Sequence, residues 1–522
     1  MSLSVTALED LPEPLWLRCW SAMILILIRR IGSALRRAGA ATSGQVAITF
    51  ALALLPAILA IGSGIDLSRA IFVKMRLIQA MDAAGLAVGT TTGLTQAQMT
   101  DMAQRFFYAN YPDAELGTVT SFVVAPVAGA PNRFTVTATA RVEATLMRVI
   151  GTESIEFDTS VEITRDTKGL EVALVLDNTG SMDDDGKLSA LKTSAKSLID
   201  TLFGAETNPT RLKMAIVPFS QTVKVDTSLF LNNGWMDTTG ASSSARLNFD
   251  NSMYAFSVWS SMSGQSWSGC LEARPNGLEE LDTAPTGSQP DTRWVPYFEP
   301  DGPDATAYGG YTTYTSDGTT GVQDVRLRRS AKYAGKALTA PNSDCNLQRI
   351  LPLTNSKTTL RNYIDGMIAS GYTHIAIGAG WGWRVLSPGA PYTEGSAYDD
   401  GDWQKVMILL TDGENTVPSN NTWHKSSYTA YNYLIRGMLG TTTADAAGTK
   451  QDELTALVCT RAKAAGVRVY SILLGVDTDR ARNLMRNCAT DPSLYFESPT
   501  TSQLQSAFSA IATDLSNLRL SK

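Results

Sequence analysis

The sequence predicts an α/β protein: a doubly wound, mainly parallel sheet, preceded by an N-terminal transmembrane helix and a small α+β membrane-proximal domain. Three observations predict it. Residues 46–65 form an uncharged apolar run, strand-like and helix-like segments alternate from residue 170 onward, and carboxylates and hydroxyls fall where two of those strands stop. Composition sets the outer bounds. The 522 residues are 44% hydrophobic and 18% charged, with 41 Gly, 5 Cys and 2 His. At roughly 150 residues per domain there is room for two or three cored domains. The charged share lies under the roughly 25% of ordinary soluble domains, yet the aromatic content excludes global disorder. A net charge of −6 leaves no electrostatic footprint for nucleic acid. Two histidines are too few for a His-rich zinc site or a proton relay.

Val46–Ile65 reads VAITFALALLPAILAIGSGI. At 1.5 Å per residue it covers about 30 Å, one hydrocarbon core, and Pro56 is tolerable in a membrane helix. The run is too long for a cleaved signal, and no small-x-small site precedes a mature start. Residues 1–45 hold three acids against five arginines, a balance of +2 within the total of −6, which leaves −8 on the rest. Arg29, Arg30, Arg36 and Arg37 lie just before the span. The positive-inside rule therefore puts the basic segment 1–45 in the cytoplasm and everything after Ile65 outside. An earlier apolar stretch, Leu15–Ile28, is short and contains Arg18, so it reads as an interfacial helix; as a second span it would invert the topology. Cys19 then falls inside, and Cys270, Cys345, Cys459 and Cys488 fall in an oxidising compartment. Of the three pairings open to four cysteines, Cys459–Cys488 and Cys270–Cys345 are favoured, with four buried thiols as the alternative.

Beyond the span, Leu67, Ile71, Met75, Ile78 and Leu86 recur at helical spacing, so the helix continues outward as an amphipathic stalk to about Gly89. A helix at 96–110 and β-rich runs at 122–127, 133–146 and 154–164 complete a small unit over 66–168. LEVALVLD (170–177) is apolar almost throughout, as a central parallel strand buried on both faces requires. A helix at 187–203 and a strand at 212–220 follow. Residues 232–346 are rich in Gly, Ser, Thr, Asp and Pro, yet carry Trp235, Trp259, Trp267, Trp294, Tyr297, Tyr308, Tyr311 and Tyr314. That composition reads as an insertion folded onto the body, or as an aromatic surface for a sugar or peptide. The pattern resumes with a helix at 357–368, a segment at 373–386, a strand at 405–412 and a helix at 452–465. A strand at 467–475, a helix at 478–487, a short strand at 494–498 and a helix at 501–518 close the chain.

Ligands of such sheets bind at the carboxyl ends of central strands. The first candidate loop offers Asp177, Thr179 and Ser181, at alternating positions that can face one ion. The second offers Asp412 in Thr411-Asp412-Gly413-Glu414. Between them, Gly371-Tyr372-Thr373-His374 adds the hydroxyl of Thr373. Asp237-x-Thr239 and Asp491-x-Ser493 repeat only the first half of the pattern. The acidic run Asp183-Asp184-Asp185-Gly186 lacks the Glu and spacing of an EF-hand and reads as a solvated turn. His374 and His424 have no matched partners. GxxxxGK[ST] and GxSxG are both absent, and no catalytic constellation stands out.

The set Asp177, Thr179, Ser181, Thr373 and Asp412 resembles the metal-ion-dependent adhesion site of von Willebrand factor type A domains. That family's pattern is Asp-x-Ser-x-Ser, a later Thr and a later Asp; Thr179 stands where Ser is usual. The resemblance implies Mg²⁺, or another divalent cation, held with an open position for a protein partner's carboxylate: binding rather than catalysis. SGQVAITFALALLPAILAIGSGIDLSRA, followed by LIQAMDAAGLAVG, is similar to the N-terminal region of TadE/TadG-like proteins of Flp (Tad) pilus assembly. The order span, small domain, type A domain (169–522) resembles the TadG-like subgroup, as do Gly380–Pro388 (GWGWRVLSP) and the closing residues 504–521. Prepilin-like relatives carry Glu five residues after a processed Gly, whereas Gly44 here is followed by Thr49, so the helix is expected to remain an anchor. These resemblances imply a single-pass, inner-membrane, periplasmic component of pilus assembly or adhesion that works with other pilus assembly proteins. A structural anchor from the pilus machinery to the cell wall, and a type A subunit of a metal-dependent ATPase, stand as alternatives.

Overall fold

A computed structural model describes residues 45–89, 91, 95–111, 117–127, 130–164, 168–300, 319–418, 424–498 and 500–520. The basic segment with its arginines, Leu15–Ile28, Cys19, Tyr308, Tyr311 and Tyr314 lie outside the described residues. The chain divides into two compact units that meet near Arg165 in sequence, with residues 90–95 grouped with the second.

In the first unit, one helix, α1 (Gln45–Gly89), carries the apolar run and continues past it. Among the described residues it alone is long and apolar enough to cross a membrane. Helix α2 (Gln96–Asn110) and an antiparallel sheet of β1 (Thr118–Val127), β2 (Ala130–Glu143) and β3 (Ser154–Thr164) pack on its second half. On β2 every second residue, from Phe134 through Val136, Ala138 and Ala140 to Val142, is buried, as the period-2 pleat dictates. The face that α1 buries is Ala70, Val73, Leu77, Ala80, Ala84 and Val88. The expected stripe lies elsewhere: Leu67, Ile71, Met75 and Leu86 are more than half exposed. Apolar residues occupy more than one face of this helix, and the alanine-rich face admits the sheet closely. A Cβ on Gly85 would stand 2.9 Å from Ile163 Cδ1.

The second unit is a six-stranded sheet in the order β6-β5-β4-β7-β8-β9. Its strands are β4 (Gly169–Asp177), β5 (Leu212–Phe219), β6 (Leu351–Thr354), β7 (Trp403–Thr411), β8 (Arg468–Leu474) and β9 (Tyr495–Ser498). All pairings are parallel except the edge pair β5–β6. Alternation sorts the side chains into two cores. Leu170, Val172, Leu174 and Leu176 join Val406, Ile408 and Leu410 beneath α3 (Lys187–Phe203) and the closing helix, which pack side by side. Ala173, Val175, Met407 and Leu409 face the other layer. In chain order after α3, the helices are α4 (Lys357–Asp365), α5 (Ile375–Leu386), α6 (Ala444–Ala464), α7 (Asp479–Cys488) and the closing α8 (Thr501–Leu520).

Helix α5 is buried along its whole length. A Cβ on Gly378 would strike the Phe219 ring, and one on Gly382 would come within 2.8 Å of Met407 Sδ. Each helical glycine costs about 1 kcal/mol against alanine, so close approach to the sheet is what these positions gain. The intervening tryptophans face away. The Trp381 ring lies 4.8 Å from that of Trp294, and Trp383 Nε1–H donates to the Tyr398 hydroxyl at 2.8 Å.

Trp294 belongs to the insertion, whose described residues are folded. Trp259, Trp267, Trp294, Tyr297, Phe298 and Tyr333 are all buried. Arg384 of α5 lies 5.0 Å from the Trp381 ring centroid and donates to Glu279 Oε1 at 2.9 Å. Arg274 lies 4.5 Å over the Trp294 ring. Disulfides Cys270–Cys345 (Cα–Cα 5.8 Å) and Cys459–Cys488 (5.1 Å) tie the insertion to itself and α6 to α7.

Inside this region Glu272 is enclosed, accepting from the Tyr428 hydroxyl and from Asn432 Nδ2 at 3.1 Å. Burial pushes its carboxyl from 4.5 up to about 8. The folded state then holds this proton more tightly than the unfolded chain, so stability falls as pH rises through that window. Glu272→Gln keeps the shape without the proton. Thermal melts from pH 5 to 9 should show a flatter profile for the variant and a higher melting temperature near pH 8; parallel profiles would contradict this assignment.

Candidate metal centre

Strands β4 and β7 are parallel neighbours in register, with Leu176 opposite Leu410. Each therefore delivers its next acid to the same edge of the sheet: Asp177 at the end of β4, and Asp412 just past Thr411. Both carboxylates are buried. Thr179 N–H donates to Asp177 Oδ1 at 2.8 Å, and the Thr411 hydroxyl donates to Asp177 Oδ2 at 2.6 Å. Asp412 Oδ1 accepts from the Ser181 hydroxyl at 2.7 Å and lies 3.5 Å from the Thr179 hydroxyl. The two hydroxyls are themselves 3.1 Å apart.

The third loop is locked to the first by backbone bonds. Gly180 N–H donates to Gly371 O at 3.0 Å, and Ser370 N–H to Asn178 O at 2.7 Å. Gly371 turns the chain at φ +84°, a left-handed conformation that suits glycine. Thr373 follows, buried, its carbonyl accepting from Thr416 N–H at 2.9 Å. A Cβ on Gly413 would stand 3.1 Å from Thr373 Oγ1, so this hydroxyl sits against the residue that follows Asp412. All five residues singled out from the sequence thus gather on three adjoining loops at one end of the sheet.

Burial, then the negative charge of Asp412, pushes Asp177 up to about 7, against the pull of its Thr411 and Thr179 hydrogen bonds. Positive charge reaches the pair from Lys187, whose Nζ donates to Asp412 Oδ2 at 2.8 Å. Sequence reasoning singles out neither Lys187 nor Thr411. Lys187 opens α3 only ten residues after Asp177, but nothing in a pattern of oxygen donors points to an ammonium. Glu414 turns away to Thr478 and Arg480. His374 is buried beside Gln451 Nε2 (3.0 Å to Nδ1), and burial drives it down to about 3, so it stays neutral and structural. The half-matching pairs have local tasks: Asp237 accepts from Thr239 and Ala241 amides, and Asp491 caps the turn at Ser493. Asp183, Asp184 and Asp185 are exposed.

The donor set is all oxygen, two carboxylates and three hydroxyls, which fits a hard divalent cation better than a nitrogen- or sulfur-seeking one. Among the described residues no group of three or more His, Cys, Asp or Glu is placed to hold a metal. Hydroxyls and water would have to complete the coordination here.

The sheet order, with an antiparallel strand at one edge and the candidate site at the carboxyl edge, is that of a doubly wound α/β fold, as expected of a type A domain. Residues 44–92 match the family described as "Putative Flp pilus-assembly TadE/G-like". No curated protein matches. Solved structures that this chain is similar to include the pilus adhesin SpaC from Lactobacillus rhamnosus GG, 12% identical, covering 76% of this chain and 34% of that one at a TM-score of 0.34. This chain thus spans about a third of SpaC. The vWF domain of the type V pili tip protein Mfa5 from Porphyromonas gingivalis is 11% identical over 68% of this chain and 97% of that one, with a TM-score of 0.34. Proximal thread matrix protein 1 from the mussel byssus, solved with a zinc-occupied MIDAS motif, is 13% identical over 67% and 46%, at 0.29.

The proximity of the two acids is directly measurable. In metal-free protein, Asp412→Asn should lower the pKa of Asp177 while burial keeps it above the ordinary carboxylate range. Carbon-13 NMR of the aspartate carboxyls reads this out; an unchanged Asp177 titration would separate the two groups.

Proposed function

We propose that this chain is a single-pass, inner-membrane component of a Flp/Tad-type pilus system whose type A domain binds a protein partner through a divalent cation, in assembly or adhesion. The observation that carries the reading is the convergence of Asp177, Thr179, Ser181, Thr373 and Asp412 on three loops that are tied together by backbone hydrogen bonds. Those five residues would hold the ion, most simply Mg²⁺, directly or through water. Bound there, it supplies an electrophilic position that a partner's carboxylate can fill. The rest is the work of the chain. Asp177, with both oxygens already engaged, orients the first loop, while Ser181 and Thr179 present hydroxyls beside Asp412. Gly371 turns the chain ahead of Thr373, whose hydroxyl sits beside Gly413.

The arginines before the span support a cytoplasmic N-terminus and periplasmic C-terminal units, an oxidising setting that suits the two disulfides. Binding rather than turnover is the activity that this reading assigns to the site. The test is calorimetric. Full-length protein in detergent should bind Mg²⁺ and melt at a higher temperature with it. Asp177→Ala and Ser181→Ala should fold but lose both responses, together with any Mg²⁺-dependent retention of pilus components. Equal Mg²⁺ responses in wild type and both variants would sink the metal reading.

A further inference from the structure

Where β2 and β3 meet, the connecting turn is pinned against α1. Leu146 lies on the helix at Gly62, where an added Cβ would stand 2.7 Å from Leu146 Cβ. Asp66 Oδ2 accepts the amides of Leu146 and Met147, both at 2.7 Å, and that of Thr145 at 3.1 Å. Arg69 Nη1–H donates to the Thr145 hydroxyl at 2.8 Å. The position along α1 is what matters. Gly62 is within the uncharged run, about 6 Å before Asp66 at 1.5 Å per residue. The turn therefore stands beside the last turn of the apolar run, at the level where a bilayer would end.

The turn itself, the 3-10 segment Met147–Ile150, points apolar side chains outward. Val149 is 76% exposed and Ile150 52%. On α1 itself Ile58, Ile61 and Ile65, to either side of Gly62 in sequence, are also at least half exposed. Arg148 lies within the same turn and Arg69 beside it, at the height of anionic headgroups.

We infer that the turn Leu146–Ile150 is a second membrane contact, with Val149 and Ile150 dipping into the bilayer that α1 crosses and Arg148 meeting the lipid phosphates. The occupant of this surface is lipid, because the turn is seated on α1 at Gly62, inside the apolar run that lipid would cover. Burying Val149 and Ile150 there removes apolar area from water. Asp66, whose charge would be costly at this depth, is enclosed by three amides and holds the turn at its level. Two contacts instead of one fix the rotation of α1 about its own axis. The inference rests on α1 spanning a membrane and is independent of the metal centre.

The test uses full-length protein with Cys19→Ser, both disulfides intact, in nanodiscs of phosphatidylcholine and phosphatidylglycerol. Single cysteines at Val149, at Ile58 within the run and at Arg133 far along β2 carry a polarity-sensitive fluorophore, and doxyl-labelled lipid is the quencher. Val149→Cys should show blue-shifted emission and lose fluorescence to doxyl lipid, as Ile58→Cys does, while Arg133→Cys does neither. A Val149 probe that behaves like the Arg133 probe, with Ile58 quenched, would overturn the inference alone. An unquenched Ile58 probe would overturn the membrane span and the inference with it.

Discussion

Two buried carboxylates at the same edge of one sheet are the constraint on which the second unit depends. Their meeting follows from register. Because Leu176 faces Leu410 across parallel strands, Asp177 and Asp412 must emerge together. Like charges withdrawn from water repel and are poorly solvated, which is why Asp177 is raised to about 7. The surrounding arrangement answers that cost. Hydroxyls of Thr411, Ser181 and Thr179 donate toward the carboxylates, and Lys187 brings an ammonium to Asp412. A divalent cation would answer it more fully, and the hydroxyls could then turn their oxygens toward it.

The same edge needs a stiff frame, and α5 supplies part of it. Thr373 stands two residues ahead of the helix, so its hydroxyl is only as well placed as α5 itself. Gly378 and Gly382 let the helix lie against β4, β5 and β7, while Gly380, Trp381 and Arg384 lie toward the insertion. Asn415 fastens the first turn of α5 from the loop after β7, accepting from Ile375 N–H at 2.8 Å. Insertion, helix and the three loops of the site thus form one packed continuum. Among the described residues, the aromatics of the insertion are largely consumed by that packing rather than displayed.

Much of this architecture is legible in the amino acids themselves. The strands are readable because a buried parallel strand is apolar on both faces, and the site residues because the loops that follow such strands carry the oxygens. Less visible features have identifiable reasons. Lys187 reaches Asp412 by its side-chain length, which no ligand pattern encodes. The edge strand Leu351–Thr354 is four residues long and pairs antiparallel, so neither length nor alternation announces it. Helix α6 begins at Ala444, ahead of its expected start, because Ala444–Gln451 carries too little apolar pattern to mark a first turn. On α1 the apolar periodicity is real but does not say which face the sheet chooses. Small alanines win over larger residues because they admit closer packing.

The central claim is that three loops hold one divalent ion, and manganese offers the most direct measurement of it. Electron paramagnetic resonance of the full chain titrated with Mn²⁺ should show one saturable site per chain, displaced by Mg²⁺ and lost in Ser181→Ala and Asp412→Asn. Its bound signal should broaden when oxygen-17 water is present, as expected of an ion that keeps an exchangeable position. Manganese that stays free in the wild type, or binds equally to both variants, would contradict the account.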